Sequence, residues 1–160
     1  MLIRPYTPAD LPTLHTIRTA AFAPVFASFR SIVGPDIAAL GLTTAEQEQA
    51  DLLDVIANPD SGHSIAVAED NNAITGFVSW KPNIAPGIGE LTLNAVHPDH
   101  GGKGVGTALY EHALAALKAA GMQLATVGTG GDPSHAPARR AYEKAGFSVH
   151  IPSIYMYRKL

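Results

Sequence analysis

Val96-His97-Pro98-Asp99-His100-Gly101-Gly102-Lys103-Gly104-Val105-Gly106-Thr107 joins an apolar strand end, a glycine-rich turn and the start of a helix in one short run. Glycines let the backbone approach a ligand closely, and a helix start presents free N–H groups and the positive end of the helix dipole. The chemistry this combination favours is the binding of a pyrophosphate. The spacing excludes two familiar phosphate motifs. A dinucleotide fingerprint needs G-x-G-x-x-G, whereas Gly102, Gly104 and Gly106 are spaced G-x-G-x-G. A P-loop needs glycine five positions before Gly102, where His97 stands, and Ser or Thr after Lys103, where Gly104 stands. The plainer alternative is a turn that only tightens a strand-to-helix connection.

The flanks of this run supply the rest of the fold. Upstream, Gly89 to Val96 reads as a strand, with Leu91, Leu93 and Ala95 alternating against Glu90, Thr92 and Asn94. Downstream, Lys103 to Ala120 reads as a helix whose apolar stripe includes Val105, Leu109, Ala113 and Leu117, with His112 also placed on its buried side. Gly121 ends it. Met122 to Val127 then forms a strand, Gly128 to His135 a long loop, and Ala136 to Ala145 a helix opened by Pro137. Phe147 to Ile151 and Ser153 to Lys159 read as two closing strands. Toward the N-terminus, residues 2–6 form a strand and Pro8 to Ala21 a helix, while Phe22 to Leu42 is broken by Pro24, Gly34 and Pro35. A capping-box pattern at Thr43–Gln47 opens a helix to Ala57. Ser64–Glu69 and Ala73–Trp80 form a hairpin about Asp70-Asn71-Asn72. The order predicts one α/β (α+β) domain over residues 1–160, with a mixed, mostly antiparallel central sheet of about seven strands flanked by helices.

Composition removes several classes of function. With 46% hydrophobic and 16% charged residues the chain is too apolar for intrinsic disorder. Its charged residues are spaced too closely for the ~20-residue apolar run of a membrane helix. The N-terminus lacks the basic and apolar regions of a secretory signal, so a cytoplasmic location is expected. The absence of Cys removes disulfides, a thiolate nucleophile and Cys-based metal sites. His97 and His100 are the only close histidine pair, without an H-E-x-x-H helix, and no metal is expected. The net charge of −3 divides into 9 acidic and 3 basic residues over 1–80 and 5 acidic and 8 basic over 81–160. No dense basic cluster supports duplex nucleic acid as a partner. Asp36, Glu46, Glu48, Asp51 and Asp54 are candidates for an acidic rim that attracts a cation.

Three segments together resemble the GNAT superfamily of acyl-CoA-dependent N-acyltransferases. The run V-H-P-D-H-G-G-K-G-V-G-T-A-L is similar to the family's V-x-P-x-x-R-G-x-G-[IV]-G-x-x-L. A-R-R-A-Y-E-K-A-G-F, residues 138–147, resembles its second signature, and L-I-R-P-Y-T-P-A-D its opening strand and turn. Two positions depart from the pattern: Gly101 stands where the family usually has Arg or Gln, and His135 where it often has Asn.

The resemblance implies acetyl-CoA as cosubstrate, held by the main chain of Asn94, Ala95 and Val96, by the loop Gly101, Gly102, Lys103, Gly104, Val105, Gly106 and Thr107, and by His135. It implies Tyr142 as the acid that protonates the leaving thiolate and Glu90 as the base for the amine. Asn94 lies four residues beyond Glu90, roughly 13 Å along a strand, so that base would act through water. The implied acceptor is a small-molecule or peptide amine, with a homodimer left open as the assembly. A catalytically silent acyl-CoA-binding sensor is the competing reading, favoured by Gly101 and opposed by Tyr142 and Glu90. Phe22, Phe26, Phe29, Trp80, Tyr155 and Tyr157 are candidates for an acceptor pocket.

Overall fold

The computed structural model describes all 160 residues. β1 (Leu2–Pro5), β2 (Ser64–Asp70), β3 (Ala73–Asn83), β4 (Ile88–Val96) and β5 (Leu124–Val127) form one sheet in the order β1-β2-β3-β4-β5. Neighbours run antiparallel except β4 and β5, which are parallel. The β2–β3 hairpin closes on Asn71 and Asn72, both at positive φ, the conformation a two-residue turn needs to match strand twist. Helices α1 (Leu11–Gly41) and α2 (Ala45–Ala57) cover one face, and α3 (Val105–Ala119) and α4 (Ala136–Lys144) the other. The fold is thus the α/β sandwich with a mixed sheet that the element order predicts. No single helix is long and apolar enough to cross a membrane.

The strand count is five rather than about seven. Residues 148–160 form no ladder, and Val149, Ile151, Ile154, Tyr155 and Met156 stand exposed. Pro152 removes a ladder donor midway along this segment. The tail is held to the end of α1 instead, by Lys159 Nζ to Asp36 at 3.0 Å.

Two further expectations are corrected. The helix expected to end at Ala21 runs on through Pro24. Phe22, Phe26 and Phe29 lie along one side of it, with centroids 6.4 and 6.5 Å apart, and this packing offsets the hydrogen bond that Pro24 removes. The break comes at Gly34, where φ is 79°. The alternation along β4 also changes phase. Leu91 packs with Val78, Trp80 and Leu109 under α3, whereas Leu93 and Ala95 pack with Leu14, Ile17 and Phe77 under α1. A register shift opposite Val78–Trp80 explains it: Val78 faces Asn94 but Trp80 faces Leu91, so β4 holds one extra residue there.

β4 and α3 approach closely at Gly89. A Cβ added there would lie 2.6 Å from Leu117 Cδ1 and 2.9 Å from its Cγ, and Leu117 is buried in the core. Gly89→Ala is therefore expected to destabilise the fold by about 1–3 kcal/mol. Urea unfolding should show a lower midpoint at unchanged slope; an unchanged midpoint would mean that this layer is loosely packed.

Candidate functional site

The bulge in β4 has a consequence at the β5 side. β5 pairs with β4 only from Ile88 to Leu91, and beyond that point the two strands part. Thr92–Val96 therefore keep β3 on one side and face an open cleft on the other. The direction of their main-chain groups follows from the ladder. His97 N–H donates to Thr75 O on β3 at 2.9 Å, and successive residues of a strand point their N–H groups to opposite sides. The N–H groups of Val96 and Asn94 consequently point into the cleft, without a strand partner.

At the C-terminal end of β4 the chain enters the glycine run. Gly102 and Gly104 adopt φ of 72° and 81°, so the turn curls and gathers its N–H groups before the first turn of α3. Neither glycine has any atom within 4 Å of where a Cβ would lie, so the open side of the curl is free for a ligand. Gly101 N–H closes the preceding turn on Pro98 O at 3.0 Å. Lys103 turns away, its Nζ donating to Asp99 O at 2.8 Å. His97 and His100 have ring centroids 6.1 Å apart, and His97 Nδ1 accepts from the Asp99 N–H.

Tyr142, on α4, is buried and reaches across the cleft to β4. Its hydroxyl lies 3.0 Å from Asn94 Nδ2, which donates to it, and 3.2 Å from Asn94 Oδ1. Tyr110 of α3 stacks on Tyr142 at 4.7 Å and donates its own hydroxyl proton to Asn94 Oδ1 at 2.8 Å. Burial pushes both phenols above their ordinary value, although hydrogen bonds from Asn94 and Tyr110 partly counter this at Tyr142. Tyr142 accordingly keeps its proton at neutral pH.

These features meet in one cleft of about 650 Å³. Tyr142, Asn94, Ala95, Val96, Gly101, Gly102, Gly104, Val105, Gly106, Thr107 and His135 all line it. Glu90 and Lys103 do not. Glu90 is exposed, opposite Lys81 on one side and Thr126 on the other. The candidate acidic rim lies outside the cleft too: Glu46 pairs with Arg30 and Asp36 with Lys159, Asp54 lies 2.8 Å from His15 Nε2, and Glu48 and Asp51 accept from Thr44 and Gln47. Of the aromatics, Phe22 lines the cleft, Phe29 stacks on His135, Trp80 lines a separate cavity, and Tyr155 and Tyr157 are exposed. His112 is exposed rather than buried, set edge-on to Trp80.

Sequence reasoning missed Tyr110, Arg140 and Lys144, which also line the cleft. Tyr110 stands three and seven residues before Ala113 and Leu117, a spacing that assigns it to the buried stripe. The two cations bring positive charge to a cleft already lined with free N–H groups, and a phosphorylated, extended ligand fits that donor set.

The match to known proteins agrees with this geometry. Residues 31–147 match the profile of the acetyltransferase (GNAT) family, most of the chain. No curated protein matches it. Among solved structures, an acetyltransferase candidate of the GNAT family from Desulfovibrio desulfuricans is 23% identical with a TM-score of 0.70, covering 94% of this chain and 86% of that one. A GNAT family acetyltransferase from Brucella melitensis, solved with acetyl-CoA, is 23% identical with a TM-score of 0.65 over 92% and 82% of the two chains. A ribosomal-protein alanine N-acetyltransferase from Escherichia coli is 21% identical with a TM-score of 0.66 over 94% and 79%. The chain belongs to the GNAT acetyltransferase family.

Proposed function

We propose that this protein is an acetyl-CoA-dependent N-acetyltransferase that moves the acetyl group to a primary amine, small-molecule or peptide, by direct attack in a ternary complex. The observation that carries the reading is the buried Tyr142 hydroxyl, held on Asn94 beside the unpaired main chain of β4. In this reading Asn94, Ala95 and Val96 pair with the pantetheine arm as an added strand would. The loop Gly101–Thr107 takes the pyrophosphate, with Arg140 and Lys144 adding positive charge. Gly101 lacks the side chain usual at its position but leaves the backbone donors in place. The Val96 N–H polarises the thioester carbonyl and holds the developing oxyanion, and Tyr142 protonates the departing thiolate. With no Cys in the chain, an acyl-cysteine intermediate has no nucleophile. Glu90, outside the cleft lining, would reach the amine only through water.

Two measurements test the proposal. Acetyl-CoA should raise the thermal unfolding midpoint while ATP and NAD leave it unchanged, because only a ligand of the native state stabilises it. Free thiol should then appear from acetyl-CoA only when an amine from a mixed panel is added. Binding without thiol release for any amine would leave a silent acyl-CoA-binding domain; a midpoint raised only by ATP or NAD would remove the acyl-CoA reading altogether.

A further inference from the structure

The loop before α4 ends in a 3-10 turn, Pro133–His135, capped by Asp132, whose side chain accepts from the Ser134 N–H at 3.1 Å. Capping alone needs no more than that. Asp132 Oδ2 also takes hydrogen bonds from the Ser134 hydroxyl and, across from α1, from the Ser28 hydroxyl at 2.9 Å. Its other oxygen, Oδ1, lies 2.5 Å from His135 Nδ1. Arg139 secures the loop from behind, donating to Gly130 O at 2.6 Å and Asp132 O at 2.8 Å. Gly130 makes room for the pair, since a Cβ there would run into both His135 Nδ1 and Asp132 Oδ1. Phe29 of α1 stacks on the imidazole at 5.7 Å and 26°. Ring and carboxylate are thus fixed on every side, at 15% and 11% exposure.

This arrangement selects one tautomer. Burial works against ionisation of Asp132, but hydrogen bonds from Ser134, His135 and Ser28 outweigh it and hold the carboxyl well below its usual range. An ionised carboxylate only accepts, so the Nδ1 proton of His135 is committed to Asp132, and in the neutral imidazole Nε2 carries the free lone pair. Nε2 has no hydrogen-bond partner in the protein, and His135 lines the same cleft as Asn94 and Tyr142.

We infer that His135, oriented by Asp132 as a positioning residue, is the base that deprotonates the acceptor amine, a role that rests on the acetyltransferase reading above. One ammonium proton passes to Nε2. The freed nitrogen lone pair attacks the thioester carbonyl carbon, forming C–N, and the C–S pair leaves with sulfur. Sulfur takes the Tyr142 proton, the second ammonium proton replaces it, and the proton on His135 returns to solvent. Besides His135, the ionisable groups lining this cleft are His100, Tyr110, Tyr142 and the cations Arg140 and Lys144, with Asp132 against the ring and Arg139 behind the loop. α1 faces the ring with uncharged Ser28 and Phe29.

His135→Asn tests the inference, since Asn is the residue often found at this position and preserves an amide for the cofactor arm. The variant should keep its KM for acetyl-CoA, lose kcat by roughly 10²-fold or more at neutral pH, and have the acidic limb of its profile of kcat/KM against pH displaced to alkaline pH, where the amine sheds its proton unaided. Asp132→Asn should lower kcat at unchanged acetyl-CoA KM, with acetyl-CoA still raising the unfolding midpoint of both variants. Wild-type kcat and an intact acidic limb in His135→Asn would overturn the base role alone and leave the transferase standing. A raised acetyl-CoA KM at wild-type kcat would overturn it in favour of a contact to the cofactor arm. A wild-type protein that binds acetyl-CoA but releases no thiol with any amine would remove the transferase reading, and this role with it.

Discussion

Tyr142→Phe is expected to lower kcat by roughly 10²–10⁴-fold, the range for a positioned general acid, while acetyl-CoA affinity stays close to wild type. The ring keeps its stack on Tyr110, and Tyr110 keeps its bond to Asn94 Oδ1, so packing is retained. What disappears is the proton, and with it one of the two acceptors for Asn94 Nδ2, which keeps its bond to Thr92 O. Steady-state turnover with the best amine, beside an acetyl-CoA thermal shift, separates the two quantities. Tyr110→Phe supplies the comparison: it lets Tyr142 turn its proton toward Asn94 Oδ1 but leaves that proton in place, so its loss in kcat should be the smaller. Wild-type turnover in Tyr142→Phe would mean that water protonates the thiolate and the tyrosine only packs.

Gly104→Val is expected to weaken acetyl-CoA binding by roughly 100-fold or more, the equivalent of two charge-assisted hydrogen bonds at about 1.5–3 kcal/mol each. Its φ of 81° is one that a β-branched residue avoids, and its side chain would stand on the open side of the curl. Strain alone could lower stability and blur the result. Gly121→Val provides the control, because Gly121 has φ of 86° and equally open space but lies past the end of α3, away from the cleft. Both variants should lose similar stability, and only Gly104→Val should lose affinity, as read by calorimetric titration. Equal affinity in the two would show that the phosphates bind elsewhere.

Much of this architecture was legible in the residues because local signals agreed with tertiary ones. The hairpin at Asn71-Asn72, the stripe of α3 and the proline-led start of α4 each combine a turn or cap with the right period. What escaped depended on partners remote in sequence. Pro24 reads as a break, and only the packing of Phe22, Phe26 and Phe29 along the same helix carries α1 past it. The clean alternation of Glu90 to Ala95 suggested one flat strand, because a bulge is set by the register against β3 and leaves no mark of its own. The tail alternates well enough to read as strands, yet it has no ladder to join. Within the candidate site, the glycine run is legible from its own spacing, and Tyr142 through the resemblance of residues 138–147 to a family signature. Asp132 is not, since its significance comes from Ser28 on a helix more than a hundred residues away.

The extra residue in β4 gives the sheet an unusual kind of border. A strand edge with free N–H and C=O groups normally lies at the rim, where it invites another polypeptide to add on and aggregate. Here such an edge runs through the interior of a five-stranded sheet, between β4 and β5, and Phe22 and Val25 of α1 and Ala138 and Ala141 of α4 wall it in. A neighbouring protein cannot bring a strand into that slot, whereas a thin, flexible chain carrying its own amides can thread it. The amides of Asn94 and Val96 should therefore exchange with deuterium as quickly as those of a surface loop in the free protein, and slow once the slot is filled.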